Sequence, residues 1–155
     1  MHMRPILLAL PLLLAADIAP AAGPAIDSLG CLAMQDGWIR QPPAPRPMLA
    51  GFGRIANGCA GEQVVVGARS PRFGEVSLHE TRMVDGVSRM REVERLPVAA
   101  GGEALLRPSG LHLMLMRPDR APAEGERVPL VLVLADGTEV PVELVVAKEP
   151  PGHGR

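Results

Sequence analysis

The stretch Val76-Ser-Leu-His-Glu-Thr-Arg-Met-Val-Asp-Gly-Val-Ser-Arg-Met-Arg-Glu-Val93 decides how the chain is read. Two extended runs, Val76 to Val84 and Val87 to Val93, flank Asp85-Gly86. Asp-Gly between such runs signals a tight hairpin, because a type I′ turn needs φ > 0 at both central residues. With Asp85 and Gly86 in the turn, Val84 pairs with Val87, Thr81 with Met90 and His79 with Glu92. Side chains alternate along a strand, so His79, Thr81 and Met90 share a face. His79 and Met90 become diagonal neighbours, about 7–8 Å apart between backbones and within side-chain reach of each other. Met83 falls on the same face, nearer the turn.

Working outward, Leu111-His-Leu-Met-Leu-Met116 alternates strictly. Its leucines are expected to face the core, and His112, Met114 and Met116 to face away from it, where an ordinary strand would carry Thr, Ser or Lys. Other apolar segments are equally short: Trp38-Ile39, Gly51 to Ala56 closed by Asn57-Gly58, Val64 to Val66, and Ala104 to Leu106. Val128 to Leu134 and Val140 to Val146 flank Asp136-Gly137 as a second hairpin. Prolines 42, 43, 45 and 47 stop any helix after Ile39, and no helical period is found elsewhere. About eight strands at this spacing predict a single all-β domain, a β-sandwich.

The composition agrees. Hydrophobic residues make up 47% of 155 positions, enough for one core, and aromatics only 2%, so that core must be aliphatic. Net charge is −1, which gives no reason to expect nucleic acid or an anionic membrane as partner. Eight methionines is high for this length, and Met48, Met83, Met90, Met114 and Met116 all lie beyond the first strand.

The N-terminus reads as an export signal over residues 1–21. Arg4 precedes a leucine-rich run from Pro5 to Ala16, and Ala19-Pro20-Ala21 supplies small residues for cleavage. The run is about a dozen residues, short of the roughly 20 that span a bilayer. Cys31 after Leu29-Gly30 raises a lipoprotein reading, but it lies well beyond the apolar run, and Ser28 stands where a lipoprotein signal usually has leucine. Residues 22–30 read as a linker, 31–147 as the domain and 148–155 as a disordered Pro/Gly-rich tail. Export implies an oxidising compartment, so Cys31 and Cys59 are expected to pair, with two unrelated thiols as the alternative.

His79, Met90, His112 and Met114 together carry chemistry. Alone, each Met reads as core filler and each His as a satisfied surface or core residue. Two imidazoles and two thioethers on alternating strands form a soft set suited to copper(I), with no carboxylate needed. The cage is neutral around a single positive charge, and its ligands lose no proton on binding at neutral pH.

The intervals in His79-(ten residues)-Met90-(twenty-one residues)-His112-(one residue)-Met114 resemble the signature of the periplasmic copper chaperone PCu(A)C family. So do Asp36-Gly-Trp-Ile-Arg40 with Pro42-Pro43, Gly51-Phe52 leading to Asn57, Val76 to Glu80, Gly86 to Arg91 and Gly110 to Met116. The resemblance covers residues 35 to 146. It implies a cupredoxin-like Greek-key β-sandwich and one copper(I) site. It also implies a periplasmic role supplying copper to cytochrome c oxidase, and the chain is expected to be a monomer. The implied partners are the oxidase subunit with the binuclear copper centre and a Sco-type thiol protein. Three features depart from the family: Ser109 stands where a glycine is common, Cys31 and Cys59 are not general, and the tail has a single histidine, His153, where some relatives carry a His/Met-rich copper(II) site.

Three competing readings keep the fold. An electron-transfer cupredoxin needs a Cys with two His, and no His stands at suitable spacing from Cys31 or Cys59. A copper-sequestering resistance protein would share the site without an acceptor. A structural or adhesive sandwich would bind no metal. Catalysis is not expected, because a filled four-ligand cage leaves no open position for substrate.

Overall fold

The Asp85-Gly86 turn forms as read: φ is 50° at Asp85 and 76° at Gly86, and His79↔Glu92, Thr81↔Met90 and Val84↔Val87 pair in the expected register. The structure, a computed structural model, describes residues 30–151. The signal segment, nearly all of the linker and His153 therefore lie outside the described residues.

Ten strands form where about eight were expected: β1 (Leu32–Arg40), β2 (Met48–Asn57), β3 (Gln63–Arg69), β4 (Phe73–Val84), β5 (Val87–Glu92), β6 (Leu96–Val98), β7 (Glu103–Leu106), β8 (Leu111–Pro118), β9 (Arg127–Leu134) and β10 (Glu139–Ala147). The short β6 had no signal of its own, because three residues broken by Pro97 show no alternation. The strand order is β5-β4-β8-β7-β2-β1-β10-β9-β3-β6, with β8 also bonded to β2. One further pairing, Ala68 of β3 with Val76 of β4, closes the sheet on itself. The all-β domain is thus a closed barrel with β5 and β6 left as its two loose ends. Most neighbours are antiparallel, but β1 runs parallel to β10 and β7 to β8.

The interior is aliphatic, as composition required. Ile39, Ile55, Leu113, Leu115, Val128, Leu130, Leu132 and Leu144 are fully enclosed. The second hairpin turns through Ala135-Asp136-Gly137, with Gly137 at φ 85° and the Leu134 N–H donating to the Thr138 carbonyl. This is the three-residue loop with glycine in the left-handed position.

Two devices pin the loops around this barrel. A disulfide joins Cys31 to Cys59, tying the start of β1 to the turn after β2. Beside it, buried Asn57 donates to the carbonyls of Gly61, Val98 and Ala99 and accepts from the Cys59 N–H. On the opposite side, Glu126 draws together the loops before β4 and after β8. It accepts from the Ala123 N–H, from Arg72 and from Arg120, while Arg72 also grips Asp119. The Ala123 N–H and the two guanidiniums hold the Glu126 carboxyl down to about 2, against the opposing effect of its burial.

Two predictions follow from these ties. Replacing both cysteines with serine should lower unfolding free energy by about 2–4 kcal/mol in denaturant titration, with the barrel retained by circular dichroism. Because Glu126 is more acidic folded than unfolded, its contribution is present at neutral pH and is lost as pH falls from its ordinary value toward 2. Glu126→Gln should therefore destabilise by about 1–2 kcal/mol at pH 7, and its gap to the wild type should close in acid.

Candidate metal centre

Strands β5, β4 and β8 are consecutive in the sheet, and this adjacency assembles the candidate site. His79 on β4 pairs directly with His112 on β8, and Ser77 pairs with Met114. The two imidazole centroids lie 6.1 Å apart. Met90 on β5 is opposite Thr81, one step diagonal from His79. Paired residues share a face and alternate residues repeat it, so all four candidate side chains stand together on the outer face of the barrel wall. The hairpin supplied one half of this set and the β8 alternation the other; the β4–β8 register joins them.

Hydrogen bonds orient both rings. His112 Nδ1 lies 2.9 Å from the Gly110 carbonyl oxygen. A carbonyl only accepts, so the proton sits on Nδ1 and Nε2 presents its lone pair. His79 Nε2 lies 3.0 Å from Ser77 Oγ, while His79 Nδ1 is buried with no hydrogen-bond partner. A buried ring nitrogen with no partner, on the face that also carries a second imidazole and two thioethers, is a donor whose chemistry suits a soft cation. Ser77 and the Gly110 carbonyl act on the rings as the outer partners of metal-site histidines commonly do. The sequence had one trace of Ser77, its place two residues before His79 on the same face.

The outer face is not open to solvent here, contrary to the plain alternation argument. His112 is 7% exposed and Met114 8%, whereas Met90 is 53% exposed. The cover comes from β1 and β2. Before residue 36 the even positions of β1 face the core, as Leu32 and Met34 do; after it the odd position Ile39 does. One extra residue at Asp36-Gly37 makes this change: Gln35 pairs with Arg54 but Trp38 with Phe52. Such a bulge re-aims the following side chains. Asp36 takes φ 50° to form it. Trp38 and Arg40 are thereby turned to the outer face. Trp38 stacks on Phe52 at 5.0 Å, Arg40 covers both rings, and Phe52 lies 6.5 Å from His112. Trp38 and Phe52 are buried yet stand apart from the aliphatic core, which makes them the wall of the site.

Of the remaining methionines, Met83 lies near the hairpin tip and is 68% exposed. Met116 pairs with Met48 of β2 and Glu75 of β4, one row beyond Met114. Among the described residues no group of three or more His, Cys, Asp or Glu is placed to hold a metal, so this His/Met cluster is the candidate.

The chain matches the family described as "Putative lipoprotein LpqE-like" over residues 32–146. It belongs to the LpqE-like family. The "Putative lipoprotein Lxx21020" of Leifsonia xyli subsp. xyli is 36% identical over 113 residues, covering 70% of this chain and 65% of that protein, so the match spans just under two thirds of the relative. Among solved structures, the copper(I) form of DR1885 from Deinococcus radiodurans superposes with a TM-score of 0.62 at 26% identity, covering 84% of this chain and 85% of that one. The copper-bound PCuAC domain from PmoF2 gives 0.62 at 16% identity over 77% of this chain and 95% of that one, which shows the fold alone. The resemblance to PCu(A)C domains read from the sequence is borne out for the family and, as to fold, for a single all-β domain like theirs.

Ser109, where this LpqE-like chain departs from the glycine common in PCu(A)C relatives, has φ 62°. It forms the turn that presents the Gly110 carbonyl to both His112 Nδ1 and the Thr81 N–H. A side chain in the left-handed region is disfavoured by about 1–2 kcal/mol relative to the right-handed one. Ser109→Gly should raise the thermal midpoint, with a gain of about 1 kcal/mol, and leave metal affinity unchanged.

Proposed function

We propose that this protein is an exported copper(I) metallochaperone. It holds one copper ion through His79, Met90, His112 and Met114 and passes it to the binuclear copper centre of cytochrome c oxidase. The observation that carries this is the cluster itself: two imidazoles in direct cross-strand register, one with an unpartnered buried nitrogen, flanked by two thioethers. Thioether sulfur prefers copper(I) to zinc, and no carboxylate stands in the set. The copper(I)-bound state of DR1885 supports the same cargo.

Delivery follows from the uneven exposure of the ligands. Met90 is open to solvent while His112 and Met114 are enclosed. An acceptor thiolate can displace the Met90 thioether first, so that copper is shared between the two proteins before the imidazoles release it. The acceptor itself, and a Sco-type partner, come from the PCu(A)C resemblance. Export is supported by the leader-like residues 1–21, by the family description and by the disulfide, which suits an oxidising compartment. Both cysteines of the chain are in that bond, so neither is a free thiol. Among the described residues no helix is long and apolar enough to cross a membrane.

A copper(I) titration against a competing chelator should show one site per chain. Met90→Ala with His112→Ala should weaken it by at least about 100-fold, with an unchanged far-ultraviolet spectrum. Persistence of tight binding in that folded variant would remove this site. If the loaded protein gave no copper to an apo oxidase copper domain, sequestration would replace delivery.

A further inference from the structure

The β4–β5 hairpin stands out from the rest of the surface. Every residue of β5 is exposed, and of the six large exposed hydrophobics among the described residues four, Met83, Val84, Val87 and Met90, lie on this one arm. β5 ends the strand order and pairs only with β4, so its far edge is open. The ladder shows which groups line that edge. The Val93 N–H donates to the Leu78 carbonyl, which makes Leu78 and Val93 a hydrogen-bonded pair. Such pairs alternate in an antiparallel ladder, so Glu80–Arg91, Arg82–Arg89 and Val84–Val87 are bonded too. Ser88, Met90 and Glu92 then turn their N–H and C=O groups outward. In keeping with this, the Thr81 N–H points away from β5, to the Gly110 carbonyl.

The two faces beside this edge differ. One carries Met90 and the candidate metal site. The other carries Arg82, Arg89 and Arg91 with Glu80, which is ion-paired to Arg82 and Arg91. Three guanidiniums against one carboxylate leave that face positive around a shallow cleft lined by Glu80, Arg82, Val84, Arg89 and Arg91, which reaches Met90 at the strand edge.

We propose that the open edge of β5 receives an extended, acidic segment of the copper acceptor, which adds to the sheet as an extra strand. This rests on the delivery reading and names the chemistry of the partner. Main-chain groups of Ser88, Met90 and Glu92 supply the hydrogen bonds of strand addition, and the arginines select for acid. Alternation does the rest: in the added strand, residues on one face meet the arginines and those on the other lie beside Met90. The fitting segment therefore alternates Asp or Glu with soft ligands, Cys or Met, and docking itself puts a ligand next to the exposed thioether. A second copy of this chain is the poorer occupant, because β5 against β5 would set Arg89 and Arg91 against like charges.

The test uses the metal-free, isotope-labelled chain and two synthetic peptides, one alternating glutamate with threonine and one lysine with threonine. The glutamate peptide should shift the amide signals of Ser88, Met90 and Glu92 and slow their hydrogen exchange, and the lysine peptide should not. Ser88→Pro removes only an outward N–H, a position where proline is tolerated in an edge strand. It and Arg82→Ala/Arg89→Ala should each weaken glutamate-peptide binding by about tenfold, with copper(I) affinity as in the wild type. Equal binding of both peptides, shifts confined to other strands, or full binding by both variants would overturn the proposal. Failure of the wild type to bind copper(I) would instead remove the delivery reading, while the peptide result still decides the docking edge.

Discussion

The pairing of β4 with β8 is the constraint on which the rest depends. It sets His79 opposite His112 and Ser77 opposite Met114. A slip of one residue would turn every one of these side chains to the other face. The register is held from both sides. Toward the interior, Leu113 and Leu115 of β8 and Leu78 and Val76 of β4 belong to the aliphatic core, and a slip would expose them. At the end of the ladder, the Gly110 carbonyl binds both the Thr81 N–H and the His112 ring. The same hydrophobic burial that closes the barrel therefore places the imidazoles, and no separate device is needed to bring the two strands' ligands together.

The site has a graded character that follows from where its strands sit. β8 is central, with its leucines in the core and Phe52 of the Trp38–Phe52–Arg40 group 6.5 Å from the His112 ring, and both His112 and Met114 are enclosed. β5 is an edge strand with nothing beyond it, so Met90 is open. The wall exists because β1 gains one residue at Asp36-Gly37. Gly53, facing that bulge, has φ 146°, and a Cβ there would come within 2.9 Å of the Gly37 Cα. Two glycines thus let β1 and β2 approach closely enough for Trp38 and Phe52 to stack.

What the sequence made legible was local. The Asp85-Gly86 turn determined the whole β4–β5 register, because a two-residue turn leaves no freedom in which residues oppose each other. The alternation of Leu111 to Met116 determined which side chains of β8 leave the core. The meeting of β4 with β8 was not legible from residues alone, since strands separated by some thirty positions carry no mark of which neighbour they choose, and only the resemblance suggested it. The enclosure of His112 and Met114 was missed for a related reason. Their cover comes from β1, whose phase is reversed by a bulge that Asp36-Gly37 does not announce. Ser109 is the converse case: its departure from a common glycine is a sequence observation, and its positive φ supplies the physical meaning.

If an ion is held as proposed, by four neutral ligands of which three lie at buried or half-buried positions of inner strands, the exposed fourth is where exchange disturbs the fold least. Opening at His112 would disturb the packing of its ring beside Phe52, itself covered by Trp38 and Arg40, and Met114 is as deeply buried. Opening at Met90 requires only a rotation of an exposed, unbranched side chain with three soft torsions. The barrier to ligand exchange is therefore lowest on the hairpin arm. That arm also offers free backbone groups and a charged flank, so the proposed exit for copper and the proposed docking edge coincide on one hairpin.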